Sequence, residues 1–218
     1  MSADRLNREE QGAWVGLLDF AADLYLNEPS SERLLGCQAA GQQLTDLFPA
    51  EFFPKMFATP ETEAIDDVLQ EYFDLFFVPV SGSYLSPFEA AHREKLLAPE
   101  LPVMINHLYS EAGFAPQGLA IPSYMQLLNR PDHIGFEMAF LARLLNSSLI
   151  LEANGDLQQA EMLRETAISF HSRYLGQWAS SFGRRLEKAA KSNLYKGLGG
   201  MTQFINREFT RTYQQQNH

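Results

Sequence analysis

The stretch of residues 129–145, NRPDHIGFEMAFLARLL, predicts the helix around which the rest of the chain folds. Asn129 and Pro131 favour a helix start here, since asparagine caps helices and proline is tolerated in a first turn. Asp132 then lies where the positive end of the helix dipole favours an anion. Apolar residues follow with helical spacing on two neighbouring stripes: Ile134, Met138, Leu141, Leu145 and Leu149, beside Phe136, Phe140 and Leu144. A helix that is apolar over more than one face is buried, so we expect it at the centre of the fold.

Composition limits the class of protein. The chain has 218 residues, 45% of them hydrophobic, which is typical of one sizeable globular domain. A formal net charge of -10 argues against a nucleic-acid partner. The single cysteine, Cys37, excludes a disulfide framework and a cysteine-rich metal site. The first ten residues do not form a secretory signal, and no run approaches the roughly 20 apolar residues of a membrane span. We therefore expect a cytoplasmic protein without stable membrane insertion.

Helical spacing recurs along the whole chain. The predicted segments are about 7–26, 31–40, 59–76, 86–97, 101–112, 157–178, 180–191 and 194–213, in addition to the central helix. No segment alternates in the manner of a strand. The sequence thus predicts one all-α domain over residues 1–218, with roughly nine to eleven helices. Pro116, Gly118 and Pro122 mark 114–128 as a hinge that permits segment exchange, so a monomer and a domain-swapped homodimer both stay open.

The middle of the chain is acidic and aromatic. No lysine or arginine occurs between Lys55 and Arg93. Within this region Ser86-Pro87-Phe88-Glu89 forms a capping box, which predicts a helix start. The acids have two interpretations: a solvated face, or a surface that holds a cationic, apolar peptide.

Motifs for metal, nucleotide or nucleophilic chemistry are missing. His133 and Glu137 are one helical turn apart, but no H-E-x-x-H motif and no further ligands accompany them. The glycine run at 197–200 lacks the spacing of a phosphate loop. We therefore predict no metal and no cofactor. An Asp132/His133/Glu137 cluster leaves a small-molecule enzyme as one hypothesis, and a plain helical interaction module is another.

Three stretches, in order along the chain, resemble the TorD/DmsD family of cytoplasmic chaperones for molybdoenzymes. They are Tyr72 to Phe77 leading to Ser86-Pro87-Phe88-Glu89; Pro131-Asp132-His133 followed by Glu137, Phe140 and Leu144-Leu145; and Phe170, Tyr174-Leu175 and Trp178 leading to Leu194-Tyr195. Together they span about residues 65 to 200, which makes the set more specific than any one of its members. Ala90 stands where the family often has serine, and Leu127 and Leu128 where it often has glutamate.

The resemblance implies an all-helical chaperone that binds without turnover. Its partners would be the twin-arginine leader peptide of a client and the apo-form of that client, a molybdopterin-dependent oxidoreductase. The peptide-binding residues carried over by position are Asp132, His133, Pro131, Tyr72, Phe76, Tyr84, Pro87 and Glu89. We expect no catalytic residue among them. The role fits the sequence, because a leader with a basic segment and an apolar segment needs carboxylates beside an apolar groove.

Overall fold

Residues 8–48, 52–57, 65–94, 99–128 and 130–214 are described by a computed structural model, and most of them are helical. The α-helices are α1 (Arg8–Leu26), α2 (Ser31–Leu47), α3 (Phe52–Phe57), α4 (Ile65–Phe76), α5 (Leu101–Glu111), α6 (Ser123–Leu127), α7 (Ile134–Ala153), α8 (Leu157–Arg173), α9 (Leu175–Ala189) and α10 (Asn193–Gln214). Short 3-10 turns lie at Glu89–Ala91 and Pro116–Gly118. These ranges contain no strand, which confirms the all-α prediction, and the helix count falls within the predicted range.

Helix α7 forms the core of the fold, as its sequence predicted. It packs against α1 and α8, while α9 pairs with α10 and α3 lies on α10. Ile134, Met138, Leu141 and Leu145 of the predicted stripe are fully buried. Among the described helices, α7 alone is long and apolar enough to cross a membrane, but 67% of its most apolar window is buried within the fold. Its hydrophobicity is therefore that of a core helix.

Helix α7 begins later than predicted. Its first residue is Ile134 and its N-cap is His133, whose Nδ1 accepts a hydrogen bond of 3.1 Å from the N–H of Gly135. Pro131 and Asp132 therefore precede the helix, and the prediction that they lie in its first turn was wrong. Tertiary contacts explain the later start, because the main chain on either side of His133 is hydrogen-bonded to Pro87 and Glu89. The proposed cap Asn129 lies outside the described residues.

The capping box at residues 86–89 starts no α-helix, which corrects a second prediction. Only the 3-10 turn Glu89–Ala91 forms there, and its cap, Phe88, makes no side-chain capping bond. Phe88 is extended and pairs with His133 in an isolated antiparallel bridge. The Glu89 carboxylate is buried and binds Arg93 at 2.6 Å. Contacts with the loop before α7 thus replace the local capping pattern.

The other helix predictions differ from the structure mainly at their ends. The predicted ends of α1 and α5 agree within one residue with the structure, whereas α2 extends to Leu47. The helix predicted over 157–178 is broken at Tyr174 into α8 and α9. The helix start near residue 59 lies outside the described residues. Segment 114–128 holds a 3-10 turn and α6, and segment exchange through it stays a prediction.

Candidate functional site

Two segments that are distant in sequence meet at the start of α7. The N–H of Glu89 donates to the carbonyl of Asp132 at 2.8 Å, and the N–H of Ile134 donates to the carbonyl of Pro87 at 2.9 Å. These bonds surround the bridge between Phe88 and His133. The loop 130–133 and the segment 86–89 are therefore held side by side, although 40 or more residues separate them in sequence.

The carboxylate of Asp132 joins these two segments. It is fully buried and accepts two hydrogen bonds of 2.9 Å from Arg130, one from Nε to Oδ1 and one from Nη2 to Oδ2. The N–H of Ala90 donates a third bond, of 3.1 Å, to Oδ2. Fork-shaped pairing of this kind is the strongest form of carboxylate–guanidinium contact. It also satisfies a buried charge that would be costly to leave unpaired.

The guanidinium of Arg130 lies over the ring of Phe88, with its Cζ 4.5 Å from the ring centroid. A cation in this position is attracted by the aromatic face. The hydrogen bonds to Asp132 raise the pKa of Arg130, and the charge of Asp132 and the phenol of Tyr84 add to the rise. The Arg130 side chain is 41% exposed, whereas Asp132 is sealed from solvent. We call Asp132 and Phe88 together the guanidinium site; Arg130 occupies it from the solvent side.

His133 is buried beside this site and is neutral. Its Nδ1 accepts the bond from Gly135, so the proton resides on Nε2, which has no hydrogen-bond partner among the described residues. Burial lowers the pKa of His133 to about 3. No hydrogen bond joins His133 to Glu137, which lies one helical turn further along α7. The ring instead fixes the first turn of α7.

Glu89 and Glu137 form a buried acidic pair next to the loop. Glu89 accepts from Nη1 of Arg93 at 2.6 Å, and Glu137 accepts from Nε1 of Trp178 at 3.3 Å. Burial is the main reason that the pKa of each carboxyl is raised. The pKa of Glu89 rises to about 7, against the opposing charge of Arg93, and the Glu89 carboxylate adds to the rise at Glu137. Both residues are fully buried. We therefore expect the pair to hold a proton inside the fold.

The other predicted site residues lie in two places. Pro87, Pro131 and Tyr84 belong to the guanidinium-site region, with Pro87 buried and the other two half-buried. Tyr72 and Phe76 lie in the hydrophobic core on α4, where the Tyr72 hydroxyl donates to the carbonyl of Tyr25 at 3.2 Å. In this conformation they support the core and present no surface to a peptide.

Sequence reasoning missed the residues that pair with the acids. Arg130 is two positions before Asp132, a spacing that brings side chains together only in a suitable loop conformation. Arg93 follows Glu89 by four residues, so this pair was detectable from spacing alone. Trp178 could not be assigned to Glu137, because it lies on another helix. Over the described ranges, no group of three His, Cys, Asp or Glu side chains is placed to hold a metal ion.

Comparison with known protein families identifies the family of this chain. The family model of the nitrate reductase delta subunit matches residues 33–184, which is more than half of the chain. The chain belongs to this family. The matched range includes the guanidinium site and helices α4 to α8. No curated protein and no solved structure gave a match.

Membership in the nitrate reductase delta subunit family confirms the resemblance to the TorD/DmsD chaperones of molybdoenzyme maturation. The family consists of chaperones rather than enzymes, and its members work with redox enzyme partners. The delta-subunit family thus supports a general chaperone role in molybdoenzyme maturation.

Proposed function

We propose that this chaperone binds the twin-arginine leader peptide of a molybdoenzyme client and holds the apo-enzyme in the cytoplasm until its molybdopterin cofactor has been inserted. It does so by binding, without turnover. Membership in the delta-subunit family supports the chaperone role. The choice of a twin-arginine leader as ligand depends on the chemistry of the site.

The observation that carries this proposal is the guanidinium site. Asp132 and Phe88 bind a guanidinium by a two-pronged hydrogen bond and an aromatic face. These are the contacts that an arginine of a leader peptide requires, and lysine cannot reproduce the two-pronged bond. The net charge of -10 adds a favourable long-range attraction for the basic segment of a leader.

An open groove between α5, α7 and α8 is suited to the apolar segment of the same leader. Its volume is about 360 Å³, and its apolar lining is Leu108, Phe140, Met162, Phe170 and Tyr174. Met162 is 57% exposed, and flexible methionines adapt to different apolar partners. At one end the carbonyl of Arg173 accepts a bond of 3.1 Å from Arg93, so the groove ends beside the segment that carries Glu89.

Asp132→Asn is expected to weaken binding of a synthetic twin-arginine leader at least about tenfold, because a hydrogen bond to a charged group contributes about 1.5–3 kcal/mol. Isothermal titration calorimetry gives the affinity, and far-UV circular dichroism checks the fold. Asp23→Asn is the matched control, since Asp23 also pairs with an arginine, Arg33, at 2.6 Å, but on α1. Equal leader affinity of Asp132→Asn and wild type would overturn the assigned site.

Met162→Lys is expected to lower leader affinity several-fold, because a charge in the groove would have to be desolvated by the apolar segment. Ile150→Lys is the control, since Ile150 is 52% exposed and lies outside the groove. Fluorescence anisotropy of a labelled leader measures both variants. If the leader binds both variants equally well, the groove is excluded as the binding surface for its apolar segment.

The remaining residues carried over from the family keep a supporting role in this proposal. His133 and Glu89 are buried around the guanidinium site, and Tyr72 and Phe76 hold α4 in the core. Direct contact of these four with a leader stays a prediction.

A further inference from the structure

Arg130 makes the contacts that a receptor would offer to the arginine of a peptide. Both oxygens of Asp132 accept bonds from its guanidinium, and its planar group lies on the Phe88 ring. Asp132 is fully buried, whereas the Arg130 side chain that occupies both of its oxygens is 41% exposed. An arginine from outside that makes the same two-pronged contact with Asp132 therefore has to displace Arg130.

We propose that Arg130 is a built-in occupant of the guanidinium site, and that an arginine of the leader peptide binds by replacing it. This inference rests on the proposed function and adds the regulation of its site. One guanidinium leaves as another enters, so the buried Asp132 carboxylate keeps a partner throughout the exchange. Arg130 stays attached to the loop and moves into solvent, where an arginine is fully hydrated.

The exchange has two consequences for the chaperone. Without a client, Arg130 satisfies Asp132 and closes the contact between the loop 130–133 and the segment 86–89. With a client, Arg130 competes with the leader. The measured association constant is then the intrinsic constant multiplied by the fraction of sites that Arg130 leaves open.

The first test compares leader affinities by calorimetry. Arg130→Ala is expected to bind a synthetic twin-arginine leader about tenfold or more tightly than wild type, since no internal guanidinium has to be displaced. Arg130→Lys is expected to lie between the two, because lysine is a weaker occupant. Arg33→Ala is the matched control, since Arg33 also forms a part-exposed pair with an aspartate, and its leader affinity should equal that of wild type.

The second test needs no leader. Methylguanidinium at millimolar concentration should raise the melting temperature of Arg130→Ala by filling the site, while methylammonium should not. Neither compound should stabilise wild type or the double variant Arg130→Ala/Asp132→Asn. Should Arg130→Ala fail to fold, refolding in the presence of methylguanidinium makes the same test, and Arg130→Lys carries the affinity measurement.

The outcomes separate this inference from the proposed function. If wild type binds the leader and Arg130→Ala binds it equally or more weakly, the exchange is overturned and the proposed function stands. If neither wild type nor any variant binds the leader, the proposed function is overturned. The rise in the melting temperature of Arg130→Ala with methylguanidinium then still shows whether the site accepts an external guanidinium. Absence of that rise overturns the exchange independently of the leader.

Discussion

Gly199→Ala is expected to destabilise the protein by about 3 kcal/mol, the upper end for overpacking of a tightly packed core. A Cβ on Gly199 would lie 2.6 Å from the carbonyl oxygen of Gly183 and 2.6 Å from the main-chain nitrogen of Glu187, both on α9. These are backbone atoms, so no side chain can rotate away to make room. Helices α9 and α10 would have to separate along their contact. Urea unfolding followed by circular dichroism measures the loss.

Gly36→Ala is the matched control for this substitution. Gly36 lies on α2, and a Cβ there meets no atom within 4 Å. The same change should therefore stabilise the protein by up to about 1 kcal/mol, because alanine favours helix more than glycine does. Opposite signs for two Gly→Ala changes would show that helix contact, and not helix propensity, determines the result. A Gly199→Ala variant as stable as wild type would contradict the close approach of α9 and α10.

The helices and the central position of α7 were predictable because they depend on hydrophobic periodicity within a single segment. Met138 and Leu141 are buried where their spacing placed them. A break between two helices was not predictable where the hydrophobic periodicity continues across it. The apolar stripe continues through Tyr174, and the backbone turns there with φ of -120° and ψ of -96°.

The candidate site was predictable only in part. The resemblance to a known family pointed to Asp132 and Glu89, but their partners are set by tertiary structure. The capping pattern of Ser86 and Glu89 was locally sound, yet the N–H of Glu89 is bound by the carbonyl of Asp132, and its side chain by Arg93. Such long-range hydrogen bonds outweigh a local capping preference worth about 1 kcal/mol. No periodicity in the sequence encodes them.

Glu137→Gln is expected to remove a pH dependence of stability that wild type shows. The pKa of Glu137 is raised well above its ordinary value of 4.5, first by burial and then by the neighbouring Glu89 carboxylate and Asp132. Arg93 binds Glu89 and opposes the rise in its pKa, which favours the proton of the pair on Glu137. Glutamine has the shape of the protonated acid and can still accept the bond from Trp178.

The direction of the effect follows from proton binding. The unfolded chain releases the Glu137 proton near pH 4.5, whereas the folded chain retains it, so the free energy of unfolding falls as the pH rises above about 4.5. One retained proton corresponds to up to about 1.4 kcal/mol per pH unit. The stability of Glu137→Gln relative to wild type should therefore grow as the pH rises above about 4.5, by up to this amount per pH unit. His133, with its pKa lowered to about 3, opposes this trend below pH 6.5 in both proteins and cancels in the difference.

Urea titrations at several pH values measure the difference, with exposed Glu165→Gln as the control whose profile should run parallel to wild type. A parallel profile for Glu137→Gln as well would mean that Glu137 is ionised in the fold, which would overturn its assignment as the neutral member of the acidic pair.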